Sequence, residues 1–310
     1  MQATVYRSTG SWYILKNSQG QFINARIKGK LKIKGITSTN PIAVGDLVEI
    51  DETAADDSLV ISKIYDRKNY INRVSPHNKN KHHIIAANLD QSLLFATLKD
   101  PKTSFGFIDR FLVTSEAYQV PAIIVFNKSD LYTEKELTKY LLAKKNYEAI
   151  GYKIMLMSIE KNDGTQAVKD LLANKTTLIT GHSGVGKSTF INYVFPDFSL
   201  KTLAVSDWSG KGMHTTTFAE MYDLPFGGSI IDTPGIREMG IVDVPKNEVA
   251  QYFPEMKIVM NDCKFNNCQH YNEPNCAVKK AVNEGIISEE RYLSYLAIKD
   301  SIEEKIGGQK

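Results

Sequence analysis

Eight consecutive residues constrain this chain more than anything else in it: Gly181-His182-Ser183-Gly184-Val185-Gly186-Lys187-Ser188 fits the pattern G-x-x-x-x-G-K-[ST]. In that pattern glycines let backbone N–H groups turn inward around phosphates, the lysine reaches the β- and γ-phosphates, and the last hydroxyl ligates Mg²⁺. The mechanism also requires a strand before the loop and a helix after it. The apolar run Thr176–Thr180 and the helix-like Thr189–Phe195 supply both, and Thr189 joins the candidate nucleotide-binding residues. A bound nucleoside triphosphate with Mg²⁺ is implied, on Lys187 and Ser188 above all.

Around this loop, apolar strand-like runs alternate with amphipathic helical stretches from residue 91 to residue 231. The alternation predicts an α/β fold with a doubly wound, mainly parallel sheet, whose ligand lies at the carboxyl ends of the strands. Three further motifs fall at such ends. Asp232-Thr-Pro-Gly235 resembles the D-x-x-G segment of GTPases, in which the aspartate holds Mg²⁺ through its shell and the Gly235 N–H would meet the γ-phosphate. Asn127-Lys128-Ser129-Asp130 resembles N-K-x-D, whose carboxylate accepts from the ring N–H and exocyclic amine of guanine; adenine lacks that donor pair, so GTP is expected over ATP. Ser158, after the run Lys153–Met157, is a candidate for the serine loop that backs the base, although its surroundings match that loop poorly. The polar, Gly-rich stretch 206–217 fits a switch loop, with Thr215 and Thr216 as alternative Mg²⁺ ligands.

The order of these motifs carries further information. N-K-S-D precedes the phosphate loop, which precedes the switch and D-T-P-G, a rotation of the usual arrangement in which the phosphate loop comes first and N-K-x-D later. A circularly permuted domain is implied, since a sheet whose natural termini lie close together can form from a rotated chain.

The flanking regions read differently. Residues 1–73 hold short alternating runs separated by turn signals, which suggests a small β-barrel of OB type. Within it Arg26, Lys28, Lys30, Lys32 and Lys34 alternate with apolar residues or glycine, so strand geometry would set all five cations on one face as a candidate RNA-backbone groove. Residues 74–90 turn from polar and basic to apolar and read as a linker into the second domain. His77, His82 and His83 in that stretch lack cysteine or carboxylate partners at ligand spacing, which disfavours a metal there. After residue 240 the alternation stops and Cys263-x₄-Cys268-x-His270-x₅-Cys276 appears, using all 3 cysteines of the chain. Three thiolates and an imidazole fill a closed, structural Zn²⁺ site, contributing on the order of 10 kcal/mol to folding a segment too small for its own core. Residues 288–306 then read as an amphipathic helix packing through Tyr292, Tyr295, Leu296, Ile302 and Ile306. The expected division is 1–73 barrel, 74–240 G domain and 241–310 zinc domain.

The 310 residues carry a formal charge of only +3, so a nucleic-acid argument must rest on where the cations sit. No run approaches the roughly 18 apolar residues of a membrane helix, and Met1–Arg7 offers no signal-peptide core, so a cytoplasmic protein without a membrane partner is expected.

With its motifs in the order N-K-S-D, G-H-S-G-V-G-K-S, G-K-G-M-H-T-T-T, D-T-P-G and C-x₄-C-x-H-x₅-C, the sequence resembles the RsgA (YjeQ/YloQ) family of circularly permuted GTPases over essentially its whole length. The resemblance implies a GTPase that binds the small ribosomal subunit through rRNA late in its maturation, hydrolyses GTP faster there, and leaves; a monomer is expected. Met213 stands where many members carry a basic residue, and the C-terminal tail is short and not markedly basic. Where Ras-like enzymes position water with a glutamine, this chain has Ile236, so His214 is the candidate for orienting the nucleophile, with Lys187 stabilising the phosphoryl charge. A P-loop ATPase, a GTP-gated RNA-binding module with little catalysis, and a binder of non-ribosomal RNA remain the alternatives from residues alone.

Overall fold

A computed structural model describes residues 1–9, 12–27, 41–52, 59–75, 78–195, 219–232 and 244–302. Its first part is a barrel. Strands β1 (Gln2–Ser8), β2 (Trp12–Asn17), β3 (Phe22–Ile27), β4 (Leu47–Glu52) and β5 (Leu59–Ile64) pair in the order β1-β2-β3-β5-β4, and β4 closes back onto β1. Alternation fills it: Ala3 and Val5 of β1, Tyr13 and Leu15 of β2 and Ala25 of β3 point inward to meet Val48, Ile50 and Ile61. The expected OB-type barrel is therefore present. Of the basic stripe only Arg26, half-buried opposite Trp12, is described; Lys28, Lys30, Lys32 and Lys34 lie outside the described residues.

The stretch expected as a linker is instead half of a hairpin. Strands β6 (Tyr70–Ser75) and β7 (Asn78–Ala87) form a separate antiparallel pair. Composition at its polar, basic tip hid this, but its base is apolar: Ile71, Ile85 and Ala86 sink into the core of the next domain, and burial rather than propensity fixes the strands.

The second part is the doubly wound sheet. Strands β8 (Gln91–Ala96), β9 (Ala122–Phe126), β10 (Lys153–Leu156), β11 (Thr176–Thr180), β12 (Glu220–Asp223) and β13 (Ser229–Asp232) lie in the spatial order β10-β9-β8-β11-β13-β12, all parallel except β12. Every residue of central β8 is buried, and its side chains alternate between two cores. Leu94 and Ala96 face helices α1 (Phe105–Ala117) and α2 (Glu134–Ala149), while Leu93 and Phe95 face α3 (Thr165–Leu172) and α4 (Lys187–Val194). Helix α2 opens with a capping box between Thr133 and Glu136, which satisfies donors at its first turn. The free edge of β12 pairs with β1, so barrel and domain share one eleven-stranded sheet.

The last part is helical: a 3-10 segment Lys246–Tyr252, then α5 (Pro254–Val259), α6 (Ala277–Asn283) and α7 (Glu289–Ser301). They pack Val249, Phe253, Met256, Val278, Tyr295 and Ile298 together with Val113 of α1. Helix α7 is shorter than the sequence predicted; it stops at Ser301, Ile302 has extended backbone, and Ile306 lies outside the described residues. Among the described residues no helix is long and apolar enough to cross a membrane.

Candidate functional site

Parallel pairing brings the sequence motifs to one edge of the sheet. Asp232 lies beside Ile179, one residue before the end of β11, while Ala96, Phe126 and Leu156 end their strands in register. Segments 127–130, 158, 181–188 and 232 therefore converge, although they are dispersed along the chain in rotated order.

Within the loop the backbone is held open. Gly181 has φ +140° and its missing Cβ would lie 2.3 Å from the Phe95 carbonyl; Gly186 has φ +99° and a Cβ there would meet Asn127 Nδ2 at 2.3 Å. No side chain fits either place. Lys187 starts α4 and folds its Nζ back onto the carbonyls of Gly181 (2.6 Å) and His182 (2.7 Å). Burial holds its pKa below the ordinary lysine value, opposed by the charge of Asp232. A half-buried ammonium facing an acidic neighbour is suited to an anionic ligand. Ser188 and Thr189 are exposed on the first turn of α4, and the His182 ring lies against Phe107 with centroids 3.9 Å apart and planes tilted by 31°. Burial and the nearby Lys187 charge lower the His182 pKa.

The other wall is locked to this loop. Asn127 is buried and donates from Nδ2 to the Val185 carbonyl at 2.9 Å. Lys128 takes left-handed backbone (φ +60°) and reaches the Asp100 carbonyl at 2.7 Å. Asp130 is exposed and accepts from Ser158 Oγ at 2.5 Å, while Ser129 N–H donates to the Met157 carbonyl. Ser158, the weakest of the base-site candidates in the sequence, thus sits against the Asp130 carboxylate. Tyr132 was missed: its hydroxyl donates to the Asn127 carbonyl (2.8 Å) and accepts from Leu98 N–H (3.0 Å), and burial pushes its pKa up to about 12. Nothing in the local pattern marks that tyrosine except its position two residues beyond Asp130. His214, Thr215, Thr216 and Gly235 lie outside the described residues.

The second cluster is the metal candidate. The ligand atoms of Cys263, Cys268, His270 and Cys276 all lie within 4.8 Å of one another. His270 Nδ1 stands 3.6 Å from Cys263 Sγ and 3.4 Å from Cys276 Sγ, and the two sulfurs are 4.0 Å apart. A tetrahedral Zn²⁺ with ordinary bond lengths requires S···S of about 3.8 Å and S···N of about 3.5 Å, so the donor set fits in chemistry and in size. Burial pushes the Cys268 thiol up to about 12, a cost that a cation among the thiolates would reverse. The surroundings orient the set. Ala277 N–H donates to Cys263 Sγ, the Glu273 carboxylate accepts from the N–H groups of Gln269, Tyr271 and Asn272, and Tyr292 of α7 donates to the His270 carbonyl at 2.7 Å.

Comparison with known proteins agrees with this geometry. The family model described as RsgA GTPase matches residues 64–242, and the one described as RsgA N-terminal domain matches residues 2–60. The chain belongs to the RsgA GTPase family. Relatives named small ribosomal subunit biogenesis GTPase RsgA include one from Flavobacterium psychrophilum, 51% identical and covering 98% of this chain and 94% of its own length. Another, from Bacteroides thetaiotaomicron, is 50% identical with 98% of each covered. Among solved structures, YjeQ from Thermotoga maritima aligns with a TM-score of 0.76 at 32% identity over 96% of this chain and 97% of that one. YloQ, described as a circularly permuted GTPase, aligns at 0.72 and 27% identity over 98% of this chain and 96% of that one. The rotated motif order of this chain matches the circular permutation described for YloQ.

Proposed function

We propose that this chain binds GTP at the carboxyl edge of its sheet and hydrolyses it in the course of small ribosomal subunit maturation, binding rRNA and leaving once hydrolysis is complete. The observation that supports the reading is that Asn127 is hydrogen-bonded to Val185 of the 181–188 loop while Asp130, three residues further on, accepts from Ser158, an arrangement that would set a base pocket beside a phosphate cradle. Relatives named for small-subunit biogenesis at about half identity support the partner.

In this reading Asp130 accepts from guanine, Ser158 orients that carboxylate, and Asn127 ties the pocket to the phosphate loop. Loop backbone from Gly181 to Ser188 surrounds the phosphates. Lys187 leaves its carbonyl partners and stabilises charge on the transferred phosphoryl group. When bound on Ser188, Asp232 and either Thr215 or Thr216, Mg²⁺ would neutralise charge between the β- and γ-phosphates. His214 orients the attacking water, because Ile236 has neither donor nor acceptor. Cys263, Cys268, His270 and Cys276 hold one structural Zn²⁺. Arg26 and the lysines at 28, 30, 32 and 34 contact the RNA backbone. The units are 1–73, 74–240 and 241–310, in a cytoplasmic monomer.

The test is GTP turnover by the full chain with and without purified small subunits. Trans-activation of GTPases can reach about 10⁵-fold; a manyfold acceleration that His214→Ala abolishes is expected. An unchanged rate with subunits would contradict the reading.

A further inference from the structure

The sheet has a second edge, opposite the nucleotide site, where its strands begin. There α1 ends, β8 starts, and the entry to the β6–β7 hairpin meets the C-terminal part of the chain. A cleft of about 330 Å³ opens at this junction, lined by Arg67, Lys68, Asn69, Tyr70, Ala117, Tyr118, Gln119, Val244 and Tyr252. That volume lies at the lower end of the roughly 300–1,000 Å³ typical of ligand sites. Three tyrosines and two cations line it, and among the described residues no carboxylate does.

The walls are fixed by hydrogen bonds that, among the described residues, leave the tips of Tyr70 and Tyr252 and one amide unengaged. Asn69 donates to the carbonyls of Leu89 (2.9 Å) and Gln119 (3.2 Å) and accepts from Leu89 N–H, clamping the hairpin to the end of α1. Arg67 is spent on Asp46 at 2.6 Å through two nitrogens, with its guanidinium over the Tyr70 ring. Tyr70 and Tyr118 pack at 5.2 Å with their planes tilted by 44°, so a planar ligand has no room between them and would stack on the outer face of the pair. Among the described residues the hydroxyls of Tyr70 and Tyr252 and the exposed Gln119 carboxamide have no protein partner. At the mouth, Lys68 pairs with Asp90 at 2.9 Å, but the side chains are 62% and 40% exposed, so that ion pair is weak and open to exchange for a phosphate.

Rings to stack on, polar tips to read an edge and a displaceable surface cation match the way single-stranded RNA is held. We infer that this cleft takes one unstacked nucleobase of single-stranded RNA, with Lys68 on the adjoining phosphate. The inference rests on the RNA partner of the proposed function and adds a contact that none of the basic-stripe residues supplies. It also joins three parts of the chain on one ligand, because Tyr70, Tyr118 and Tyr252 come from the hairpin, the G domain and the C-terminal segment.

Fluorescein-labelled single-stranded oligouridine and oligoadenosine, titrated into the full chain with anisotropy as the readout, test it without ribosomes. Tyr252→Leu and Tyr70→Leu should each weaken binding about fivefold or more, Tyr252→Phe, which keeps the ring and lacks only the hydroxyl, should weaken it less than Tyr252→Leu, and intrinsic GTP hydrolysis should stay unchanged because the nucleotide site lies at the other edge. Affinities within about twofold of wild type would overturn the inference. A measurement on the unaltered protein covers the case in which a variant fails to fold: 4-thiouridine RNA, crosslinked and mapped by mass spectrometry, should label Tyr70, Tyr118 or Tyr252. Crosslinks confined to other parts of the chain would refute it. Failure of this binding leaves subunit-stimulated hydrolysis to be judged on its own assay.

Discussion

The G domain is gripped on two sides by different kinds of chemistry. On the C-terminal side Arg291 of α7 reaches Asp109 of α1 at 2.7 Å and Glu255 of α5 through two nitrogens at 2.7 and 3.1 Å, while Tyr147 of α2 donates to the same Asp109 at 2.6 Å. The three charged side chains are 4%, 1% and 6% exposed. On the barrel side the links are Tyr6 to Asp223 at 2.6 Å, Lys16 to Asp223, and Arg7 to Glu220 at 3.8 Å, and Lys16 and Asp223 are 27% and 40% exposed. A buried charge cannot leave its partner without being stranded away from water, whereas a wetted pair exchanges partners at little cost. The end that carries the Cys263, Cys268, His270 and Cys276 cluster is thus riveted to α1, and the Lys16–Asp223 pair makes a softer joint on the barrel side. That joint acts on β12 (Glu220–Asp223), which follows the proposed switch stretch 206–217 in sequence.

The contrast can be broken in steps. Stripping Zn²⁺ with a chelator, or replacing Cys276 by Ser, should have the largest effect, removing on the order of 10 kcal/mol from the C-terminal part. Amide exchange should then collapse across 263–299 while protection of β1–β5 persists; equal loss on both sides would show that the two flanks fold as one. Next comes Arg291→Gln, expected to lower unfolding free energy in urea by about 3–5 kcal/mol, because two carboxylates are left buried without their cation. Lys16→Ala should cost no more than about 1 kcal/mol, and less at high salt. A larger loss would make the barrel junction as rigid as the other. Acid gives the finest test. Burial tends to raise the Asp223 pKa, but hydrogen bonds from Lys16 and Tyr6 outweigh it and hold the pKa below its ordinary value. Its contribution is complete above the unfolded carboxylate range and is lost as pH falls below about 4. Burial raises the pKa of Glu220, so protonation there relieves the junction as pH falls and the two effects oppose. Tryptophan fluorescence of Asp223→Asn should show a flatter acid limb than wild type.

What the sequence revealed and what it hid follow from the range of each interaction. The 181–188 loop and 127–130 were legible because their chemistry sits in short, contiguous strings that strand ends must carry. Cys263, Cys268, His270 and Cys276 were legible because thiols so close together in a chain with 3 cysteines have few other uses. The hairpin at 70–87 was not, since its polar tip resembles a linker and only long-range burial of Ile71 and Ile85 makes it two strands. Arg291 was hidden for the same reason: it lies 182 residues from Asp109, and on a helical wheel it reads as an ordinary surface charge. Tyr6 and Asp223, 217 residues apart, gave no local sign of the edge pairing that fuses barrel and sheet.

The claim beneath all of this is that segments in rotated order build one guanine site. Asp130→Asn tests it most directly, through nucleotide affinity measured by calorimetry on the full chain. GTP binding should fall by at least an order of magnitude while xanthosine triphosphate binding rises, because an amide pairs with the xanthine edge and not with guanine. Unchanged GTP affinity, with no gain for the xanthosine nucleotide, would contradict it.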